Sequence, residues 1–377
     1  MVADLNRAAM SLFPPSACSR LVVKIGSALL VDASGGVRRT WLQGMAADIA
    51  ARLREGQQIA VVSSGAIALG ARRLGLPKGG RASLEDAQAA AATGQIALSH
   101  VWAEVLSAHG ITAAQILVTL DDLEDRRRYL NAAATLDRLL GLGVVPNLNE
   151  NDSVATEEIR FGDNDRLAAR VAQAAGAQGV VLLSDVDGLY DRNPALPGAV
   201  HIGRIDRIDG TVEAMADRGS ASGMGSGGMV SKIEAARIAN AAGAHLAIAS
   251  GRVEHPLSAA ARHTLFVAEK AASARKAWLA GRLTVRGCIT VDQGAAEALR
   301  QSKSLLAAGA THVEGQFARG DVIEIAGPDG KKIARGLSEY DAADAARIVG
   351  HRSDAHAALL GYAPRAALVH RDHLVLL

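Results

Sequence analysis

The chain has 377 residues, 49% of them hydrophobic and 21% charged, which is enough for two domains and a sizeable buried core. Its 41 basic and 39 acidic side chains leave a formal charge of +2, so no general attraction to nucleic acid or to an anionic membrane is expected. Two distant cysteines, Cys18 and Cys288, make neither a disulfide framework nor a zinc site and fit a reducing compartment.

Residues 1–19 carry a short apolar stretch cut by Pro14 and Pro15, too short for a signal peptide, and read as a loose leader. No apolar run reaches the roughly 18 residues that a membrane span needs. Residues 21–25 are a short apolar run, read as a buried strand, and Gly26-Ser27 follows. Trp41, Met45, Ile49 and Leu53 recur at helical spacing until Gly56 closes the segment. A strand at 59–62 leads into Ser63-Ser64-Gly65-Ala66, and helical segments run through 84–109. A strand at 116–119, a helix at 126–140 ending at Gly141, and a strand opening at 144–146 come next. Leu167 and Val171 mark a helix ending near Gly176; strands at 180–183 and 245–249 flank a helix at 230–242. This alternation predicts an α/β domain over 20–269, an open and mainly parallel sheet sandwiched by helices. Residues 270–282 read as a helical linker. Short strands at 288–291, 322–325 and 332–334, with a Gly327-Pro328-Asp329-Gly330 turn, predict a small, mostly β domain over 283–361, followed by a tail at 362–377.

Four polar groups fall at the carboxyl ends of the predicted strands, where open α/β sheets bind ligands. Lys24 ends the first strand; it can neutralise a transferring phosphoryl group or pair with a core carboxylate. Asn149-Glu150-Asn151-Asp152 and Gly162-Asp163-Asn164-Asp165 combine amides and carboxylates. Such groups can grip an amino acid, whose ammonium needs acceptors and whose carboxylate needs donors; alone, each cluster would read as Asx turns and a helix N-cap. Ser63-Ser64-Gly65 lacks the Gly-x-Ser-x-Gly form of a nucleophile elbow and reads as a turn offering donors. Ser184-Asp185-Val186-Asp187-Gly188 does not complete a calcium loop and reads as a nucleotide-contacting segment. Further on, Gly223, Gly225, Gly227 and Gly228 precede a helix with Lys232 in its first turns. Glycines admit an anion close to the backbone, and the helix N-terminus and the ammonium attract it. The spacing is not that of a Walker A loop, and a plain flexible loop is the alternative.

Together these segments resemble the glutamate 5-kinase family of the amino acid kinase superfamily. Lys24-Ile25-Gly26-Ser27, Ser63-Ser64-Gly65-Ala66-Ile67, Asn149-Glu150-Asn151-Asp152, Gly162-Asp163-Asn164-Asp165 and Gly225-Ser226-Gly227-Gly228-Met229 stand in that family's order, and the likeness extends through a segment similar to a PUA domain. The resemblance implies that Lys24 and Lys232 hold the ATP phosphates, with Asp165 between them. It implies that Ser64, Asp152 and Asn164 bind L-glutamate. Ser184 and Asp185 would line the nucleotide site, with Ser226, Gly227, Gly228, Met229, Val230, Ser231 and Lys232 closing over the phosphates. ATP and Mg²⁺ are implied as cofactors, without identifiable metal ligands. The implied reaction forms γ-glutamyl phosphate, the first step of proline biosynthesis. Also implied are a cytoplasmic homo-oligomer, feedback inhibition by L-proline, and a glutamyl phosphate reductase as partner. Serines stand at 63 and 184 where threonine is common, and both keep the hydroxyl; the leader is longer than usual. PUA domains elsewhere bind RNA, but residues 283–361 carry nine Lys or Arg against ten Asp or Glu, so a structural or regulatory role is expected and RNA is not expected as a partner. A kinase for another small acidic substrate is the nearest alternative.

Overall fold

The computed structural model describes residues 12–32, 36–154, 164–218, 228–258, 262–268, 285–362 and 364–377. They fall into two compact units, one within Met1–Glu124 and Ala132–Glu269, the other within Asp125–Asn131 and Lys270–Leu377. The expected linker at 270–282 and the Gly162-Asp163, Ser226 and Gly227 positions lie outside the described residues.

In the first unit, near-continuous apolar runs suit strands buried on both faces. They form β1 (Arg20–Ile25), β2 (Gln58–Ser63), β3 (Ala113–Val118), β4 (Val145–Glu150) and β5 (Gly179–Ser184). The short strands β6 (Leu189–Tyr190), β7 (His201–Ile202) and β8 (Arg204–Ile205) follow, then β9 (His245–Ser250) and β10 (His263–Phe266). The main sheet has the order β3-β4-β2-β1-β5-β9-β10-β8. Its first six strands run parallel, whereas β10 pairs antiparallel with β9. The sheet is thus open and mainly parallel, as the alternation of elements predicts.

The intervening helices are α1 (Ser27–Leu30), α2 (Arg39–Arg54), α3 (Ala66–Leu74), α4 (Leu84–Ser107), α5 (Leu120–Glu124) and α6 (Arg126–Gly141), the last counted to the first unit only from Ala132 on. After them come α7 (Asn164–Ala175), α8 (Gly210–Arg218) and α9 (Met229–Ala241). Trp41, Met45 and Ile49 of α2 bury one stripe against Leu21, Val23 and Ile25 of β1, as the spacing predicts. The Ser83 hydroxyl caps α4 by accepting from the Asp86 amide at 3.1 Å.

Three features differ from the expectations. Residues 12–19 are not a loose leader. The buried Arg52 guanidinium donates to the carbonyls of Leu12 and Phe13, and the Gln57 amide donates to the carbonyl of Cys18. Second, β4 continues through Asn147, Leu148, Asn149 and Glu150, all buried. Polar side chains there look like a loop in sequence, but Asn147 and Asn149 find partners on other elements of the fold, with Ser63 Oγ donating to Asn147 Oδ1 at 2.8 Å. Third, the short strands at 189–205, the helix α8 and the short strand β10 escape the periodicity, because elements of two to nine residues carry few repeats.

The second unit is built on β11 (Gly287–Val291), β12 (Ala310–Gly315), β13 (Val322–Ala326), β14 (Lys332–Leu337) and β15 (Leu374–Leu376), ordered β12-β11-β13-β14-β15. Helices α10 (Gln293–Arg300), α11 (Ala342–Ile348) and α12 (His356–Leu360) cover it. Its core gathers Ile289, Val291, Phe317, Ile323, Ile325, Leu368 and Val369. Residues 362–377, expected as a tail, supply two of those core side chains and the edge strand β15, which pairs antiparallel with β14. No helix of the described residues is long and apolar enough to cross a membrane.

Candidate active site

The end of β1, the start of α7 and the start of α9 bring three buried charges together. Lys24 Nζ lies 2.6 Å from Asp165 Oδ1, and Lys232 Nζ lies 2.9 Å from Asp165 Oδ2. All three residues are at least nine-tenths buried, with Asp165 at 1% exposure. Burial alone would raise the Asp165 carboxyl, but the two ammonium groups outweigh it and hold the group below the usual aspartate range. One carboxylate between two ammonium groups leaves a surplus positive charge. Such a surplus is costly when desolvated, unless an anion completes it. Asp165 thus stands between the two lysines, and Lys24 both pairs with this core carboxylate and lines a cavity.

That cavity, of about 160 Å³, is lined by Lys24, Ser64, Asp152, Asn164, Asp185 and Lys232, along with Ser184 and the starts of α1 and α3. Segments running from Lys24 to Lys232 in the chain thus converge beyond the strand ends. Gly65 makes the turn from β2 into α3 at φ 106°, a conformation that costs glycine little, and this presents the Ser64 hydroxyl to the cavity. The Asn164 side-chain amide lies 2.7 Å from Ser64 Oγ, 3.0 Å from Asn149 Oδ1 and 3.1 Å from the Ser63 carbonyl. Its own Oδ1, like Asp152 Oδ1, is buried without a hydrogen-bond partner among the described residues. Two unmet acceptors on one cavity wall suit an ammonium donor. Burial pushes the Asp152 carboxyl up to about 6, against the pull of Arg81.

On the opposite side, Ser184 Oγ donates to Asp185 Oδ1 at 3.0 Å. Gly228, extended at ψ −179°, caps α9 with no side-chain hydrogen bond to its first amides. Those amides and the adjacent Lys232 suit a phosphate. Met229, Val230 and Ser231 form the first turn of α9; with Gly228, they are not on the cavity wall. Among the described residues no group of three His, Cys, Asp or Glu side chains is placed to hold a metal. Both Asp165 oxygens are occupied by lysines. The residues present therefore fit a nucleotide's phosphates but build no metal cage.

Three contributors were missed in the sequence reading. Gln95, on the buried face of α4, accepts from the Asn149 amide at 2.8 Å and so fixes the group that meets Asn164. A buried glutamine in an alanine-rich helix is the signal that could have found it. Asn149 was seen only as part of its cluster, though its side chain is the link between Gln95 and Asn164. Arg81 lies in a loop with nothing in its surroundings to mark it.

The model of the amino acid kinase family matches residues 19–250, and that of the PUA domain matches residues 287–360. A glutamate 5-kinase from Sphingopyxis alaskensis is 78% identical over 98% of this chain and 100% of its own length. Glutamate 5-kinases from Novosphingobium aromaticivorans and Zymomonas mobilis are 62% and 61% identical, over 96% and 97% of this chain and 97% and 94% of their own lengths. With its phosphate-suited lysine pair at the strand ends of a mainly parallel sheet, and with likeness along nearly its whole length, the chain belongs to the amino acid kinase family.

Proposed function

We propose that the chain transfers the γ-phosphoryl group of ATP to the side-chain carboxylate of L-glutamate, giving γ-glutamyl phosphate and ADP at the first step of proline biosynthesis. The single observation that carries this reading is the Lys24–Asp165–Lys232 bridge, with contacts of 2.6 and 2.9 Å, beside a wall of unmet acceptors on Asp152 and Asn164. The names of the most similar relatives agree with it.

A side-chain carboxylate has a pKa of about 4.3 and is ionised at neutral pH, so the nucleophile needs no base. This fits a cavity wall that carries no histidine among the described residues. The obstacle is the approach of one anion to another. A carboxylate oxygen attacks the γ-phosphorus, the bond to the β–γ bridging oxygen breaks, and ADP leaves with the electron pair. Lys24 and Lys232 neutralise the charge spread over the transferring group, and Asp165 keeps both ammonium groups aimed at it. Ser64, Asp152 and Asn164 hold the amino acid, with Asp152 and Asn164 Oδ1 accepting from its ammonium. Ser184 and Asp185 border the nucleotide, and the amides opening α9, with the segment Ser226 to Ser231, meet its phosphates. Mg²⁺ bound on the phosphate oxygens would supply further charge neutralisation and needs few protein ligands.

The acyl phosphate product is labile, which supports a reductase that consumes it as a partner in the cytoplasm. L-Proline shares the ammonium and α-carboxylate of glutamate and so fits the same end of the cavity as an inhibitor. A homo-oligomer is proposed on the family resemblance alone. The test is an ADP-release assay with L-glutamate, L-aspartate and N-acetyl-L-glutamate, with and without proline, backed by hydroxylamine trapping of the acyl phosphate. Turnover with trapped hydroxamate for glutamate above the other two is expected; preference for another acid would overturn the substrate assignment.

A further inference from the structure

Arg81 is the cation on the cavity wall that Asp165 does not engage. Its surroundings hold it there. Lys78, Gly79 and Gly80 all have positive φ, at 50°, 63° and 75°, and the Arg81 amide donates back to the Lys78 carbonyl at 3.3 Å. Gly80 is buried against the α3–α4 pair. A Cβ there would stand 2.8 Å from Ala71 Cβ and 3.0 Å from Ala90 Cβ, so both its conformation and its fit call for glycine. The tight loop therefore places the base of Arg81 firmly on the platform that also carries Ser64 and Gly65. The side chain itself makes no hydrogen bond or ion pair among the described residues, and its charge acts on the buried Asp152, which lines the same cavity.

The charges around the cavity divide into two ends. Lys24, Lys232 and Asp165 form the end suited to phosphates and to the reacting carboxylate. Asp152 and the Asn164 oxygen form the end suited to an ammonium. An amino acid's α-carbon carries a carboxylate beside that ammonium, and a lone buried Asp152 would repel it. We infer that Arg81 receives the α-carboxylate of the acceptor amino acid and sets the requirement for that group. A guanidinium matches a carboxylate with two parallel N–H donors, a geometry no lysine reproduces. Asp152 and Arg81 then form a complementary pair for the two charges on the α-carbon, and the reacting carboxylate is directed to the lysines at the far end. The inference rests on the proposed reaction and adds the residue that distinguishes a full amino acid from a plain carboxylic acid.

The test compares L-glutamate with L-isoglutamine, whose α-carboxylate is replaced by a neutral amide of the same shape, for the native chain and for Arg81→Gln and Arg81→Lys. The native chain is expected to prefer glutamate by about 10- to 100-fold in kcat/KM, the range for loss of a charged hydrogen bond. Arg81→Gln should remove most of that preference by raising the KM for glutamate, while kcat and the KM for ATP move less than about threefold. Arg81→Lys should fall between the two, since it keeps the charge and loses the fork. Because Arg81 is exposed, thermal melting of both variants should match the native chain. If Arg81→Gln keeps the native preference for glutamate over isoglutamine, Arg81 serves only to balance Asp152 and the assignment is overturned, although glutamate turnover by the native chain would still support the reaction. Absence of glutamate turnover in the native chain would overturn both.

Discussion

Asp165 bridges two ammonium groups at 1% exposure, and its removal exposes the electrostatics of the site most directly. Asp165→Asn leaves two buried cations uncompensated, so urea unfolding should show a loss of about 3–5 kcal/mol. Its carboxyl is held low in the folded chain, so its contribution is present at neutral pH and is lost on acidification below the unfolded carboxylate range. Lys232→Ala should retain more of the fold and lower kcat by about 10²-fold or more in the ADP-release assay, the cost of removing one donor to a developing charge. Asp152 behaves in the opposite sense to Asp165. With its carboxyl near 6, it loses charge as pH falls through that value, and the KM for glutamate should rise up to about tenfold per unit below it while the KM for ATP stays level. Protonation there favours the folded state, since the native chain binds the proton more tightly than the unfolded one. Asp152→Asn should therefore melt higher at pH 7, by up to about 3 kcal/mol, with its KM for glutamate raised and nearly independent of pH. Lys24, Asp152, Asn164 and Asp165 are visible in sequence as polar residues beyond strand ends, and Lys232 as a lysine opening a helix after a glycine-rich segment. Their mutual distances are not, because they belong to segments up to about two hundred residues apart.

Helices α3 and α4 meet through glycine. A Cβ on Gly70 would stand 1.8 Å from the Ala90 carbonyl oxygen, and one on Gly94 would stand 1.8 Å from that of Ala66. Backbone cannot yield there as a long side chain would, so Gly94→Ala should force the helices apart and cost at least about 1–3 kcal/mol in thermal unfolding. The displaced start of α3 carries Ser64, Ala66 and Ile67 on the cavity wall, so the KM for glutamate should rise with it. Gly141→Ala is the control: nothing lies within 4 Å of its added carbon, and it should be neutral or slightly stabilising. The periodicity of α2 was legible because a long amphipathic helix repeats its apolar stripe several times. The close approach of α3 and α4 was not, since a glycine within a helix reads only as a weak position until its neighbour is known. The polar end of β4 was hidden for a similar reason: the Asn147 oxygen and the Asn149 side chain find their partners, Ser63, Asn164 and Gln95, on other elements.

Each unit has its own apolar core, and every described residue on the wall of the cavity at the strand ends belongs to the first. The near balance of charge over residues 283–361 leads to an expectation for the second unit. Filter binding with single-stranded and hairpin RNA at 150 mM salt should give no dissociation constant tighter than the non-specific range, about 10⁻⁴ to 10⁻⁶ M. Saturation at nanomolar protein would require a local basic face that the composition does not indicate. The alternation of apolar runs with helical stripes, and the order of the polar motifs, determined the mainly parallel α/β unit, the mostly β unit after it and the kind of chemistry at the strand ends. These are local properties, written in spacing and residue type. The tertiary structure alone decided that one carboxylate serves two lysines, that Arg81 and Asp152 line one cavity, and that residues 12–19 and 362–377 join cores instead of hanging free. Those outcomes depend on contacts between segments far apart in the chain, where burial and charge are set by neighbours that no stretch of sequence contains.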